Sequence, residues 1–296
     1  MGTTAEFRPR GSFEPLTDMT GGGPFGLSPG QWTDDTSMAL CLATSLLERN
    51  GFDAHDQMER YCRWNEAGYL SSTASCADIG RTVASALRRF RHTGDPFSGS
   101  QDPYSAGNGS IMRLAPVPMF FFPDLDAVEI NAAQSSRTTH AAVECVDACR
   151  LFGRIICRAL LAKTKDEVAY GDARSFGGAE KVVAIARGAY RAKPESAVRG
   201  TGYVVESLEA AMWCFMTTDS LEAAILRAAN LGDDADTTVA VCGQVAGAYY
   251  GVSQIPSGWL GRLALNAEIT NLADRMWQRV EAYGPTPGTT AIGTGI

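Results

Sequence analysis

The chain has 296 residues, 45% hydrophobic and 20% charged, a composition typical of a globular protein with a sizeable core. Its 33 acidic residues outnumber 26 basic ones, and the net charge of -7 argues against a broad basic surface for nucleic acid or anionic lipid. No apolar run reaches the roughly 18 residues that a membrane span needs, and the first residues lack the apolar stretch of a secretory signal. We therefore expect a cytoplasmic protein with no nucleic-acid or membrane partner.

The helical period dominates the chain. Residues 35–49 place Met38, Leu42 and Leu46 along one stripe, and Asn50-Gly51 supplies a stop signal. Further helices are predicted over 54–66, 76–92, 126–135, 140–162, 178–192, 203–217, 219–230, 234–250 and 266–283. Alternation of period two is absent apart from ambiguous short runs such as 117–122. The pattern predicts an all-α protein.

One domain over residues 1–283 is the simplest organisation, since no linker interrupts the middle of the chain. The Gly- and Pro-rich residues 284–296 are predicted to form a flexible tail. None of the eight cysteines stands in a Cys-x-x-Cys pair, and most lie within apolar helical patterns. We expect them to be reduced, buried thiols rather than zinc ligands or disulfides.

An acidic cluster, Thr33-Asp34-Asp35-Thr36, stands where the first long helix is predicted to begin. Thr or Asp here could simply cap the helix, because side-chain oxygens accept from free backbone N–H groups and acidic residues suit the positive end of the helix dipole. The same residues also offer the oxygen ligands that Mg2+ and Mn2+ prefer. The cluster alone does not decide between the two.

A glycine-bearing loop, Ser105 to Arg113, follows in the middle of the chain. Its backbone N–H groups could cradle a phosphate, with Arg113 adding charge, although Asn108-Gly109 could equally form an ordinary turn. The segment Ser136 to His140 is also ambiguous, because a threonine there could cap the next helix and a lone histidine is more often structural than catalytic.

A second acidic cluster, Asp233-Asp234-Ala235-Asp236-Thr237, precedes the helix predicted over 234–250. Three carboxylates within four residues repel one another more than capping requires, and a bound cation would relieve that repulsion. Asp234 and Asp236 point about 200° apart within a regular helix, so they can converge only in the loop or first turn. Together the two clusters predict the halves of one metal site.

Several separated motifs, in one order, resemble those of ADP-ribosylglycohydrolases. They are Trp32–Met38, Ser71–Thr73, Asp78–Gly80, Gly107–Arg113, Thr138–His140 and Gly232–Thr237. The resemblance implies a compact all-α fold with two divalent cations, Mg2+ or Mn2+, that cleaves the bond between ADP-ribose and an acceptor. ADP-ribose or an ADP-ribosylated protein would then be the partner.

Residue roles follow by motif position from the same resemblance. It implies metal ligation by Thr33, Asp34, Asp35, Asp234, Asp236 and Thr237, and catalytic assistance by Asp35, Asp78 and Glu6. It implies ligand contacts by Gly107, Asn108, Gly109, Ser110, Met112 and His140, with Tyr203 a candidate for stacking on adenine.

Two departures from the family pattern stand out. Members of the family normally begin with a helix ending in Gly-Asp-Ala-x-Gly, whereas Gly2 here resembles the last glycine of that motif, which makes the positioning of Glu6 less secure. Arg81 replaces a small polar residue after Asp78-Ile79-Gly80 and could contact phosphate or alter the acceptor preference.

The resemblance implies hydrolysis of the N-glycosidic link between ADP-ribose and arginine as the expected activity. Carboxylates beside the anomeric carbon would stabilise the positive charge that develops during cleavage. O-linked substrates, such as esters, serine adducts or small metabolites, are an alternative. A relative that binds ADP-ribose without turnover, or a protein in which both acidic clusters are only helix caps, are further alternatives.

Overall fold

The computed structural model describes residues 1–171 and 175–283, and within them it contains α-helices, short 3-10 turns and no β-strand. The α-helices are α1 Asp34–Arg49, α2 Ala54–Ala67, α3 Arg81–Thr93, α4 Pro116–Phe121, α5 Leu125–Arg137, α6 Val143–Ala159, α7 Lys165–Tyr170, α8 Glu180–Ala186, α9 Val204–Met216, α10 Leu221–Ala229, α11 Ala235–Tyr250, α12 Ser257–Arg262 and α13 Asn266–Tyr283. The prediction of an all-α protein is confirmed. The predicted tail, residues 284–296, lies outside the described residues.

Two predicted helices are shorter than the sequence pattern indicated. The helix expected over 76–92 begins only at Arg81, because Asp78 adopts a left-handed φ of 60° and interrupts the helical path. The segment expected over 178–192 forms α8 and then a separate 3-10 turn, since Gly188 at φ 78° ends the first piece. The ambiguous run at 117–122 lies largely in α4, and the pattern also missed the short helices α7 and α12.

Local signals fix where several helices begin and end. Asp53 and Ser220 accept hydrogen bonds from the backbone N–H groups of Asp56 and Ala223, and so cap α2 and α10. Left-handed Gly68 and Gly94 close α2 and α3. By contrast, the two helices that carry the acidic clusters, α1 and α11, begin without a capping hydrogen bond from a side chain.

The interior consists of a large and a small cluster of buried side chains. The large cluster packs α6, α9, α10 and α11 together, with fully buried Phe152, Leu208 and Phe215 among its members. The small cluster joins α1, α2 and α3 through residues such as Met38, Trp64 and Phe90. Seven of the eight cysteines are buried and all eight are free thiols, as expected. No helix in the described ranges is long and apolar enough to cross a bilayer.

The N-terminal segment fastens itself to the loop before α11. The backbone N–H of Phe7 donates to the Asp233 carbonyl at 2.8 Å, and the N–H of Asp233 donates to the Arg8 carbonyl at 2.8 Å. Gly232 has a φ of 70°, and a Cβ there would lie 2.4 Å from the Arg8 carbonyl oxygen, so only glycine fits this approach. This pairing sets Glu6 beside the N-terminus of α11.

Candidate metal centre and ligand cleft

The first acidic cluster does not act as a conventional helix cap. Thr33 occupies the N-cap position of α1, but its side chain makes no capping hydrogen bond. Its hydroxyl Oγ1 instead lies 3.0 Å from Oδ2 of Asp35 and 3.0 Å from Oδ2 of Asp236. A hydroxyl has one proton, so it can donate to only one of these two oxygens. The other close approach requires a proton or a cation.

The second cluster meets Glu6 at the start of α11. Carboxylate oxygens of Glu6, Asp234 and Asp236 lie within 4.8 Å of one another. Oε2 of Glu6 accepts from the backbone N–H of Asp236 at 3.0 Å, and Oδ1 of Asp236 accepts from the N–H of Thr237 at 2.8 Å. Asp234 occupies the N-cap position, and its side chain also makes no capping bond. Segments from both ends of the chain therefore supply one cluster of carboxyl groups.

Burial and mutual repulsion raise the pKa of these carboxyl groups. Burial, followed by the charge of Asp236, raises the pKa of Glu6 to about 11 and that of Asp234 to about 6. Burial and neighbouring carboxylates also raise the pKa values of Asp34, Asp35 and Asp78. Without a counter-charge, the cluster takes up protons instead of remaining fully ionised.

The residues present fit a hard divalent cation. Oδ1 of Asp35 is buried and accepts no hydrogen bond among the described residues, although an ionised carboxylate needs several partners. Carboxylate and hydroxyl oxygens are the ligands that Mg2+ and Mn2+ prefer, and the site offers them from α1, α11 and Glu6. A cation would offset the repulsion that now raises the pKa values. These contacts argue against an interpretation of both clusters as helix caps alone.

A cleft of about 390 Å³ opens over the acidic cluster. Its lining includes Glu6, Asp34, Asp78, Gly107, Asn108, Gly109, Met112, His140, Asp234, Asp236 and Thr237, all of them singled out from the sequence. Thr33 and Asp35 are buried beneath it, and the Ser110 side chain is 1% exposed and points into the protein, where it accepts from the Cys149 thiol. Tyr203 lies in a neighbouring groove.

The loop Gly107–Met112 lines the cleft through Gly107, Asn108, Gly109 and Met112. Asn108 Nδ2 donates to Oδ2 of Asp234 at 3.0 Å, which ties the loop to the second cluster. The backbone N–H groups of Gly109 and Ser110 have no hydrogen-bond acceptor within the described ranges. Consecutive free N–H groups favour an anion. The loop therefore adds backbone donors to a cleft that is also lined by carboxylates.

Arg113 does not face the cleft, contrary to the expectation that it could add charge to a phosphate cradle. Its side chain is 0% exposed, and Nη1 donates to the Gly109 carbonyl at 2.7 Å. The guanidinium thus supports the loop from behind.

A second groove of about 660 Å³ shares Gly107 and Gly202 with the cleft. Tyr203 lies along it, and its hydroxyl donates to Glu144 at 2.5 Å while accepting from Lys181 at 2.8 Å. These two partners fix the ring in the groove wall. Exposed Tyr104 lies on the same groove.

Several residues that support or line the cleft escaped the sequence analysis. Cys145 and Cys149, one turn apart on α6, donate from their thiols to the Gly107 carbonyl at 3.3 Å and to Ser110 Oγ at 3.4 Å. Their spacing resembles that of any buried helix face, so the sequence carries no signal for this role. Gly202, Thr82 and the exposed Phe7 also line the cleft. Arg81 lies at its edge.

Comparison with known proteins identifies the family of the chain as the ADP-ribosylglycohydrolases. A family model described as ADP-ribosylglycohydrolase matches residues 1–286. A relative named ADP-ribosylarginine hydrolase Tri1 from Serratia proteamaculans is 40% identical, over 94% of this chain and 75% of the relative, and its namesake from Pseudomonas putida is 41% identical, over 94% and 74%. The ADP-ribosyl-[dinitrogen reductase] glycohydrolase of Rhodospirillum rubrum is 30% identical, over 90% and 87%.

A solved structure shares this fold. A chain of an ADP-ribosylglycohydrolase-related protein complex superposes with a TM-score of 0.83 at 38% sequence identity, covering 94% of this chain and 92% of that one.

Cation binding should stabilise the protein more as the pH rises. The pKa values of Glu6, Asp34 and Asp35 are raised, so the metal-free folded protein keeps protons on these carboxyl groups that the unfolded chain releases. The stability that this proton binding contributes to the folded state is therefore full below pH about 4 and is lost as the pH rises. A cation replaces those protons. We expect a fixed concentration of Mg2+ to raise the thermal midpoint roughly twofold more at pH 8 than at pH 6.

Differential scanning fluorimetry with and without Mg2+ at each pH measures this difference. The effect of pH on groups remote from the cation is the same in both samples and cancels in the Mg2+-induced shift. Asp236→Asn should remove most of the Mg2+-induced shift. An equal shift at both pH values, or no shift at either, contradicts the assignment.

Proposed function

Because the chain belongs to the ADP-ribosylglycohydrolase family, we propose that it hydrolyses the N-glycosidic bond between ADP-ribose and an arginine side chain of a protein. Two relatives at 40% and 41% identity carry the name ADP-ribosylarginine hydrolase. The observation that carries the proposal is that buried carboxyl groups and a loop with unpaired backbone donors line the same cleft. ADP-ribose needs both surfaces, since its diphosphate is anionic and its anomeric carbon becomes positive during cleavage.

The proposed cofactors are two divalent cations, Mg2+ or Mn2+. Thr33, Asp34 and Asp35 would hold them from α1, and Asp234, Asp236 and Thr237 from α11. The shared contact of the Thr33 hydroxyl with Asp35 and Asp236 supports this division, because it joins the two sides at 3.0 Å each. Such cations, when bound, supply positive charge that polarises ribose oxygens and makes water more acidic.

The reaction replaces the bond between C1′ and the guanidine nitrogen by a bond between C1′ and a water oxygen. Water gives up one proton and the departing guanidine takes one, so the step needs carboxyl groups that can accept and donate protons beside the reacting carbon. Glu6, Asp35 and Asp78 are the candidates. All three have pKa values raised by burial and neighbouring carboxylates, and Glu6 and Asp78 line the open cleft.

The loop Gly107–Met112 is proposed to hold the diphosphate. The unpaired N–H groups of Gly109 and Ser110 supply its donors, whereas Ser110 contributes only its backbone because its hydroxyl points inward. The backbone N–H of Asn108 donates to the Gly202 carbonyl, and the Asn108 side chain donates to Asp234. Phosphate position and metal position are thereby coupled.

The groove beside Tyr203 is proposed to take the adenine ring. It continues from the cleft through Gly107 and Gly202, and the Tyr203 ring is fixed by Glu144 and Lys181. A ring held in place loses little conformational entropy when a base stacks on it.

Removal of the Tyr203 ring should weaken substrate binding without altering the chemical step. For Tyr203→Ala we expect KM to rise about tenfold with kcat within about twofold of wild type, since base stacking contributes about 1–3 kcal/mol. Tyr203→Phe keeps the ring and should show a KM close to that of wild type. A fall in kcat for Tyr203→Ala, with KM unchanged, would show that this ring does not hold the substrate.

Release of ADP-ribose from arginine-ADP-ribosylated protein, with and without Mg2+ or Mn2+, tests the proposed reaction. We expect metal-dependent release, with Asp34→Ala and Asp236→Ala each reducing kcat/KM by well over tenfold, because they remove groups that no neighbour replaces. Asp274→Ala, which deletes an exposed carboxylate on α13, is the matched control and should remain as active as wild type.

A panel of defined linkages identifies the acceptor. Arginine adducts should be cleaved faster than serine adducts and esters of ADP-ribose. Faster cleavage of an O-linked adduct would change the substrate assignment and keep the hydrolase. Binding of ADP-ribose without release from any adduct would indicate a binding protein instead, and less than tenfold loss in both aspartate variants would overturn the metal assignment.

A further inference from the structure

Arg113 connects two segments that face the cleft. Its Nη1 donates to the Gly109 carbonyl at 2.7 Å, and its Nη2 donates to Thr139 Oγ1 at 2.7 Å. The guanidinium is 0% exposed, stacks 4.8 Å from the centre of the Tyr61 ring and forms no ion pair with an Asp or Glu of the described ranges. A buried cation with only neutral partners is costly, which indicates a role beyond packing.

The bond from Arg113 determines which way the Thr139 hydroxyl donates. Arginine can only donate, so Thr139 Oγ1 accepts from Arg113 and keeps one proton of its own. His140 Nδ1 lies 2.9 Å from the same oxygen, and no other acceptor for the Thr139 proton exists among the described residues. If Nδ1 carried the proton instead, the buried hydroxyl proton of Thr139 would be left without a partner. The hydroxyl therefore donates to Nδ1.

The opposite nitrogen of His140 points to the ligand side. Gly109 leaves room for the ring, since a Cβ there would lie 2.8 Å from His140 Cε1, and Gly107 lies on the side of Nε2, where a Cβ would come within 3.4 Å of that nitrogen. Nε2 has no hydrogen-bond partner within the described ranges, and His140 lines the cleft. Burial and the Arg113 charge lower the pKa of His140 to about 3, so its ring stays neutral at pH 7.

We propose that Arg113, through the Thr139 hydroxyl, fixes His140 as the tautomer protonated on Nε2, which then donates a hydrogen bond to an acceptor oxygen of the bound ligand. Arg113 and Thr139 are positioning residues in this scheme. The alternative tautomer would direct a lone pair at that oxygen and repel it. The inference deepens the proposed function, because it assumes that the cleft takes the oxygen-rich ADP-ribose, but the tautomer itself belongs to the ligand-free protein.

Nitrogen-15 NMR of protein labelled on histidine tests the tautomer directly. The chain has three histidines, and His140→Gln identifies the signals of His140. We expect a protonated, pyrrole-type Nε2 and an unprotonated, pyridine-type Nδ1 in the wild type. Thr139→Val removes the hydroxyl at nearly constant shape and should yield a mixture of tautomers, while Thr139→Ser should restore the wild-type spectrum.

Calorimetric titration with ADP-ribose connects the tautomer to binding. Thr139→Val should weaken the affinity about tenfold, and Thr139→Ser should recover most of it. The matched control is Thr218→Val, because Thr218 is also a buried threonine but donates to the Cys214 carbonyl and makes no bond to Arg113 or His140. It should leave the tautomer unchanged.

A proton on Nδ1 in the wild-type spectrum overturns the proposal without any variant, so failure of a variant to fold leaves it testable. An unchanged spectrum and affinity in Thr139→Val also overturn it. Failure of ADP-ribose release with an Nε2-protonated His140 would contradict the proposed function and leave the tautomer standing.

Discussion

Repulsion among buried carboxyl groups is the constraint on which the rest of the site depends. The N-termini of α1 and α11 bring Asp35 and Asp236 to the two sides of one hydroxyl, and the N-terminal segment adds Glu6 to the same place. The positive ends of two helices favour such charges but do not neutralise them, and the raised pKa values show the deficit. A divalent cation would offset the remaining repulsion, and the oxygen ligands of this site suit such a cation.

The cleft combines two kinds of polar group, carboxyl groups and backbone N–H donors. Carboxyl groups line the cleft beside a loop in which the N–H groups of Gly109 and Ser110 have no acceptor within the described ranges, and the buried Arg113 supports that loop from behind. Asn108 spans the two by bonding Asp234. An ADP-ribosyl group matches this division, since its diphosphate requires donors and its reacting carbon requires negative charge nearby. The fold supplies rigid support, because α6, α9 and α11 pack into one core directly behind the loops.

Much of this could be predicted from the sequence, for identifiable reasons. The helical period predicted the all-α class. The second acidic cluster indicated a metal site, because three carboxylates within four residues exceed what helix capping requires. The interruption before α3 could not be predicted, since Asp78 adopts a left-handed φ of 60° that the helical period of the sequence does not encode. The inward direction of Arg113 and Ser110, and the thiol contacts of Cys145, also depend on which side of a loop the core occupies. Periodicity carries no such information.

Anomalous diffraction from crystals grown with Mn2+ tests whether the two acidic clusters hold a metal together. We expect metal peaks in contact with carboxylate oxygens from both acidic clusters, Asp34 or Asp35 on one side and Asp234 or Asp236 on the other, and loss of those peaks in Asp236→Asn crystals. Absence of any peak within the cluster at saturating Mn2+, or peaks confined to surface carboxylates, would contradict it.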